Sequence, residues 1–449
     1  MPSPDSSALA EASPRRILGL AIPALGVLAA EPLYLLLDAA VVGRLGALPL
    51  AGLAVGGLVL AQVSTQLTFF SYGATPRAAR LHGAGRDDDA VGEGVSATWL
   101  AFGLGALIIA VMQLLCVPIL ALIGGGGDIT AEAVRWFRVA VLGVPFILVS
   151  MAGNGWMRGL QDTVRPLRYV VFGLGLSAVL CPLLVHGLLG FPYLGLVGSA
   201  VANVIGQTVA GALFVVALVR SGVPLRPSWP VMRAQLSLGR DLVLRSLAFQ
   251  ACFLSAAAVA SRFGAASVAA NQVVLHLWNL VSLTLDSLAI AAQTLVGAAL
   301  GRADVPGATR LGWRLTAWST VFALVLALLL AAGGPILPGL FTTDSSVVEQ
   351  MQSIWWIFVA IIPLAGVVFA LDGVLLGAGD AAFLRTATLA CALVGFLPSI
   401  WLALAFDWGL RGIWFGLGIF VALRMAAVIG RFVSGRWAIA GADIQRTAG

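Results

Sequence analysis

Apolar runs of twenty or more residues recur along the whole chain, separated by short polar links. A helix that crosses a bilayer needs about 20 mainly apolar residues. Twelve segments meet that length: 17–42, 48–72, 93–120, 131–152, 164–188, 194–219, 238–261, 266–298, 311–333, 352–376, 382–405 and 409–434. The pattern predicts an all-α polytopic membrane protein. Several links are marked by Gly or Pro, such as Gly124–Gly127 and Gly333–Pro335. The link at 220–237 carries Pro224, Pro227 and Pro230 and falls at mid-chain. It reads as a cytoplasmic linker between a first lobe over 17–219 and a second over 238–434. The polar ends, 1–16 and 435–449, read as cytoplasmic tails, the first of them disordered.

The second half repeats the first. At an offset of 218, Arg44, Gly46, Ala47, Ala51 and Val55 recur as Arg262, Gly264, Ala265, Ala269 and Val273. Gly155, Gly159 and Asp162 recur at the same offset as Gly373, Gly377 and Asp380. Near the end of each half the offset is 214, so that Gly195 and Gly198 meet Gly409 and Gly412. Each half holds six spans, an even number, so the halves are parallel repeats. That is a transporter architecture, with the binding site near mid-membrane.

Composition removes the soluble alternatives. Hydrophobic types make up 60% of the 449 residues and charged types 10%, against about 25% charged in a soluble domain. A soluble enzyme, a disordered chain and a nucleic-acid binder are all excluded, in spite of the net charge of +6. All 26 basic residues are Arg, and they alternate with the apolar runs. With the N-terminus inside, Arg44, Arg135, Arg138, Arg262 and Arg411 fall outside and Arg424 falls within the last span; the other twenty are cytoplasmic. The positive-inside rule then places both termini in the cytoplasm. Cys116, Cys181, Cys252 and Cys391 sit in or beside apolar runs without a metal or disulfide spacing, and read as small apolar fillers.

An ionisable group inside a bilayer costs several kcal/mol, so each needs a reason. Four acids lie well inside spans: Glu31, Asp38, Asp286 and Asp372. Glu31, Tyr34 and Asp38 are spaced 3 and 4 apart and share one helical face, with the Tyr34 hydroxyl in reach of either carboxylate. Asp38 is the candidate proton carrier, and Glu31 is either a second one or a structural acid. Pro23 and Pro32 lie in the same run and mark hinges, since proline removes a backbone hydrogen bond. Span 8 carries Asn279, Asp286 and Gln293 at seven-residue steps. Through the repeat, Asp38 corresponds to Ala256, Thr68 to Asp286 and Asn154 to Asp372, so the halves keep acids in different places. Asp286 and Asp372 are expected to lie close together and share a proton. Phe69, Phe70, Tyr72 and Trp156 are candidates for a drug cavity or, more ordinarily, for packing. His82, His186 and His276 are scattered, and no H-E-x-x-H or phosphate-binding loop is present. No enzyme activity, metal or cofactor is implied.

Several stretches together resemble the multidrug and toxic compound extrusion (MATE) transporters of the DinF-type branch. These are Glu31-Pro32-Leu33 through Asp38, Val42-Gly43-Arg44-Leu45-Gly46, Arg158-Gly159-Leu160-Gln161-Asp162-Thr163, Leu285-Asp286-Ser287 and Leu371-Asp372-Gly373. The resemblance covers essentially the whole chain. It implies two lobes forming a V-shaped cleft and cation-coupled export of amphipathic, often cationic compounds. It also implies that Asp38 is the coupling acid, that Asn154 is its polar partner in the same lobe, and that Asn203 stands where Thr is common. Two departures are plain. Ser177 and Cys181 precede Pro182 where Asn and Asp are usual, and 242–261 holds no acid. One certain first-lobe carboxylate suits a proton, with Na+ as the alternative coupling ion. The expected protein is a monomeric plasma-membrane antiporter for small amphipathic molecules. Thr68, Asn154 and Asn203 are assigned to a first-lobe cavity, and Asn279, Asp286, Gln293 and Asp372 to a second-lobe cavity. The rival readings are an exporter of an organic metabolite and a lipid-precursor flippase, which would need extra helices and a basic cavity. A membrane-embedded transferase would need a catalytic cluster that the histidines do not supply.

Overall fold

The computed structural model describes residues 13–442. Of the expected tails, 1–12 and 443–449 lie outside the described residues, while the first helix already begins at Pro14. Twelve helices are long and apolar enough to cross a membrane: α1 Pro14–Gly43, α2 Ala47–Gly83, α3 Asp87–Gly124, α4 Gly127–Gly159, α5 Val164–His186, α6 Leu196–Arg220, α7 Trp229–Phe263, α8 Ala265–Gly301, α9 Val305–Gly333, α10 Ser345–Gly377, α11 Ala381–Ala405 and α12 Gly409–Val433. No strand occurs among the described residues. The twelve-span, all-α reading is therefore correct in number and order.

Most helices outrun the apolar runs that announced them. Hydropathy detects the apolar middle, whereas polar first turns extend the helix beyond it. Asp87, Asp88 and Asp89 occupy the first turn of α3, where acids complement the helix dipole. Asp304 accepts from the Gly307 N–H at 2.8 Å to cap α9, and Asp344 accepts from the Ser346 N–H at 2.9 Å to cap α10. α7 begins at Trp229, so 229–237 of the stretch read as linker is helical. Pro230 sits in its first turn, where a missing N–H costs nothing.

Local breaks follow side-chain chemistry. α2 is interrupted at Leu67–Thr68, where the N–H groups of both residues turn back by three residues to Ser64 and Thr65. Thr68 also donates its hydroxyl to the Thr65 carbonyl at 2.8 Å, a local bond that competes with the helix. In α11 a π-turn over Ala392–Phe396 precedes Pro398. α1 runs without a break through Pro23 and Pro32.

Contacts sort the chain into two compact units. One is Ile22–Gly239; the other is Arg240–Gly449 with the N-terminal stretch through Ala21. Each unit contains the same glycine-dependent helix contact. In the first, a Cβ on Gly155 would lie 2.6 Å from the Ser71 carbonyl oxygen, and one on Gly159 would meet Ala78. In the second, a Cβ on Gly373 would meet the Ala289 carbonyl and one on Gly377 the Gln293 carbonyl. Ser71 and Ala289 are themselves 218 apart, so the offset read from the sequence recurs in the packing of α2 on α4 and of α8 on α10. Small residues let membrane helices approach this closely.

Candidate functional site

In the first unit α5 and α6 are drawn together by small residues. A Cβ on Gly206 would meet the Gly173 carbonyl and the Ser177 hydroxyl. Ser177 donates to the Ala202 carbonyl at 3.0 Å. This close approach aims Cys181 of α5 and Ser199 of α6 at Asp38 of α1. The Cys181 thiol donates to Asp38 Oδ1 at 3.2 Å. The Ser199 hydroxyl bears on the same carboxyl, and its oxygen accepts from Trp136 Nε1 at 3.2 Å. Asp38 is 1% exposed, with Ser199 and Cys181 at 0%. The acid is thus enclosed, with the Cys181 thiol as its hydrogen-bond partner and the Ser199 hydroxyl beside it.

The two helices meet along a polar ladder. Glu31 accepts from Gln207 Nε2 at 3.3 Å, Tyr34 faces Asn203, and Asp38 faces Ser199. Positions rise on α1 as they fall on α6, as in an antiparallel pair, and the α6 members are one turn apart. Glu31 is exposed at the end of the ladder where Asp38 is buried. Tyr34 does not serve either carboxylate as expected. Its hydroxyl is buried with no hydrogen-bond partner among the described residues, and so is Asn203 Oδ1. Cys181 is not an apolar filler: the fold turns its thiol onto a carboxylate. Spacing at 199, 203 and 207 on one helix was the signal that could have found Ser199 and Gln207 beforehand.

Thr68 and Asn154 are placed elsewhere. Thr68 lies at the break in α2 with its hydroxyl on Thr65. Asn154 is buried in α4, its Oδ1 without a partner among the described residues. Phe69, Phe70 and Trp156 are buried, the first two stacked at 4.6 Å and Trp156 pressed on Gly94, which is packing. A further buried acid escaped notice. Glu93, not among the four acids assigned to span interiors, is 3% exposed. It accepts from Arg77 at 2.6 to 2.9 Å and from Gln235 at 2.9 Å.

The second unit treats its acids differently. Asp372 is buried, and its Oδ2 accepts from Arg424 at 2.5 Å and from Arg245. The idea that Asp372 and Asp286 share a proton is therefore corrected: the Asp372 charge is met by two guanidiniums. Arg245 had been counted as a cytoplasmic charge, yet α7 turns it inward. Along α8, Asn279 is exposed, Asp286 partly buried and Gln293 buried, so the stripe passes from surface to core. Asp241, just before the acid-free stretch, pairs with Arg240 at 3.0 Å and Arg385 at 2.5 Å. No group of three or more His, Cys, Asp or Glu able to hold a metal ion occurs among the described residues.

The profile described as MatE matches residues 23–183 and 242–401, one stretch in each unit. The chain is 31% identical to Protein DETOXIFICATION 44, chloroplastic, of Arabidopsis thaliana, over 92% of this chain and 80% of that one. It is 30% identical to DNA damage-inducible protein F of Escherichia coli, over 92% and 90%. Among solved structures, a MATE crystal structure in the bent conformation superposes with a TM-score of 0.86 at 22% identity, over 96% of this chain and 97% of that one.

Proposed function

Since the chain belongs to the MatE (MATE) family of efflux transporters, we propose that it is a proton-coupled antiporter in which protonation of Asp38 drives alternating access. Its substrates are amphipathic organic compounds, cationic ones among them. The observation that carries this reading is the enclosed Asp38 carboxyl, met by Cys181 and Ser199 rather than by an arginine.

An ionised Asp38 is an acceptor only; a protonated one is also a donor. Cys181 and Ser199 suit the ionised form. The donor made by protonation needs an acceptor, and Asn203 Oδ1 is a buried acceptor without a partner, one turn along α6 from Ser199. Proton uptake thereby changes which α6 group α1 prefers, which is the differential interaction a two-state switch requires. Pro23 and Pro32 give α1 the missing backbone bonds that let it bend between the two pairings. A thiol is a soft donor, whereas Na+ favours several hard oxygens, so this pocket favours a proton. The cluster is complete within one chain, which supports a monomer. Arginine placement supports plasma-membrane insertion with both termini cytoplasmic; reporters at Gly126 and Asp344 then read outside.

One experiment separates the ions. Dansylcadaverine export from proteoliposomes is driven in turn by a pH gradient without Na+ and by a Na+ gradient without a pH difference. The pH gradient alone is expected to drive export. Export under the Na+ gradient alone would overturn the proton reading.

A further inference from the structure

Arg245, Asp372 and Arg424 form a buried cluster with two positive charges and one negative. The Arg424 side chain is 6% exposed, Asp372 8% and Arg245 15%. Asp372 is the one carboxylate ion-paired with either arginine among the described residues, so the three side chains carry one positive charge in excess. Phe249 and Phe420 line it: the Arg424 guanidinium lies 5.0 Å from the Phe249 ring centre and 5.9 Å from that of Phe420. The Arg245 guanidinium lies 5.7 Å from Phe249. Aromatic faces soften the excess charge but do not neutralise it.

Hydrogen bonding is also incomplete. Both guanidiniums use Asp372 Oδ2, while Asp372 Oδ1 and Arg245 Nε are buried without partners among the described residues. A buried unmet donor or acceptor is costly, more so when charged. The fold does not demand this cost. At the repeat offsets of 218 and 214 the first unit has Val27, Asn154 and Ala210 in place of Arg245, Asp372 and Arg424. None of these first-unit positions is charged, so the cluster is confined to one unit.

We propose that the Arg245–Asp372–Arg424 cluster binds a negatively charged group, a carboxylate or sulfonate, on an aromatic amphiphile that the protein exports. Such a group neutralises the excess charge and offers an acceptor to Arg245 Nε; an N–H beside it would meet Asp372 Oδ1. Phe249 and Phe420 supply the aromatic contact. The inference rests on the exporter reading and extends the substrate class from cations to anionic and zwitterionic amphiphiles.

A charge series on one fluorophore tests it: dansylglycine (anionic), dansylamide (neutral) and dansylcadaverine (cationic). Binding to the purified full chain in non-ionic detergent is expected to favour dansylglycine over dansylamide by tenfold or more. Arg424→Gln should erase that preference and leave dansylamide binding unchanged. The triple variant Arg245→Val, Asp372→Asn, Arg424→Ala installs first-unit residues already compatible with this packing, so it guards against misfolding of the single variant. It should also lose the preference while keeping the helical circular-dichroism signal of the wild type. Asp38→Asn should bind dansylglycine like the wild type, so a failure of the proton mechanism leaves this measurement intact. Equal binding of anionic and neutral probes by the wild type would overturn the proposal, as would an undiminished preference in the folded triple variant. Loss of dansylglycine binding on adding phosphatidylglycerol, with no export of the probe, would assign the cluster to a lipid headgroup and overturn the substrate reading.

Discussion

The first unit encloses Asp38 with a thiol and a hydroxyl; the second encloses Asp372 with two guanidiniums. Both stand on one duplicated scaffold, with glycine contacts at Gly155 and Gly373 in register. The charge of Asp372 is balanced by partners that are always present. Asp38 has no cationic partner among the described residues, so in the proposed mechanism its charge is balanced by a proton. What separates a switch from a fixed ion cluster is therefore which neighbours reach the acid, not the fold or the presence of an acid.

The sharpest way to break the comparison is to neutralise each acid. Asp372→Asn strands two buried guanidiniums, and breaking such a cluster costs about 3–5 kcal/mol. A large fall in Tm in detergent is expected. Asp38→Asn removes a buried carboxylate that has no cationic partner among the described residues, so its Tm should hold or rise. Equal destabilisation of the two variants would show that the acids are held alike.

The scaffold can be probed apart from the charges. Gly373→Ala and Gly155→Ala each press a methyl onto a backbone carbonyl, and overpacking of this kind costs about 1–3 kcal/mol. Thermal unfolding should show similar losses at the two sites. A cost at only one would mean that the units no longer share the contact. A smaller effect is expected at the acid's own partners. Ser199→Ala leaves Trp136 Nε1 without its acceptor, a loss of about 1 kcal/mol. It should also shift the pH dependence of export, which Cys181→Ser, keeping a donor, should largely preserve.

The smallest effect lies outside the membrane. The Ser346 hydroxyl, and then its N–H, hold the Asp344 carboxyl below its ordinary value. This cap is fully present above the carboxyl's unfolded pKa and is lost as pH falls through the folded value. Asp344→Ala should lower Tm slightly at neutral pH and not at all in strong acid. A deficit independent of pH would mean that the carboxylate is not what caps α10.

Much of this was legible in the sequence because a bilayer imposes a coarse rule. Apolar length gives the spans, and a constant offset gives the repeat. The α1 stripe was readable because 31, 34 and 38 fall on one face. Its partners were not, because they come from other helices: Cys181 looks like any small apolar residue until Gly173 and Gly206 bring α5 onto α6. Arg245 misled for the opposite reason. Near a helix end an arginine reads as a topology marker, and only packing shows that it turns inward to Asp372. The break at Thr68 depends on a side-chain hydrogen bond that hydropathy does not register.

The central claim is that Asp38 alone carries the coupling proton, and a pH-gradient assay on purified variants tests it most directly. A difference of two pH units is worth about 2.7 kcal/mol per proton, enough for roughly hundredfold accumulation of a neutral substrate. Wild type and Glu31→Gln should both drive dansylcadaverine export from proteoliposomes under that gradient. Asp38→Asn should bind the probe and fail to drive it. Gradient-driven export at the wild-type rate by well-folded Asp38→Asn would contradict the account.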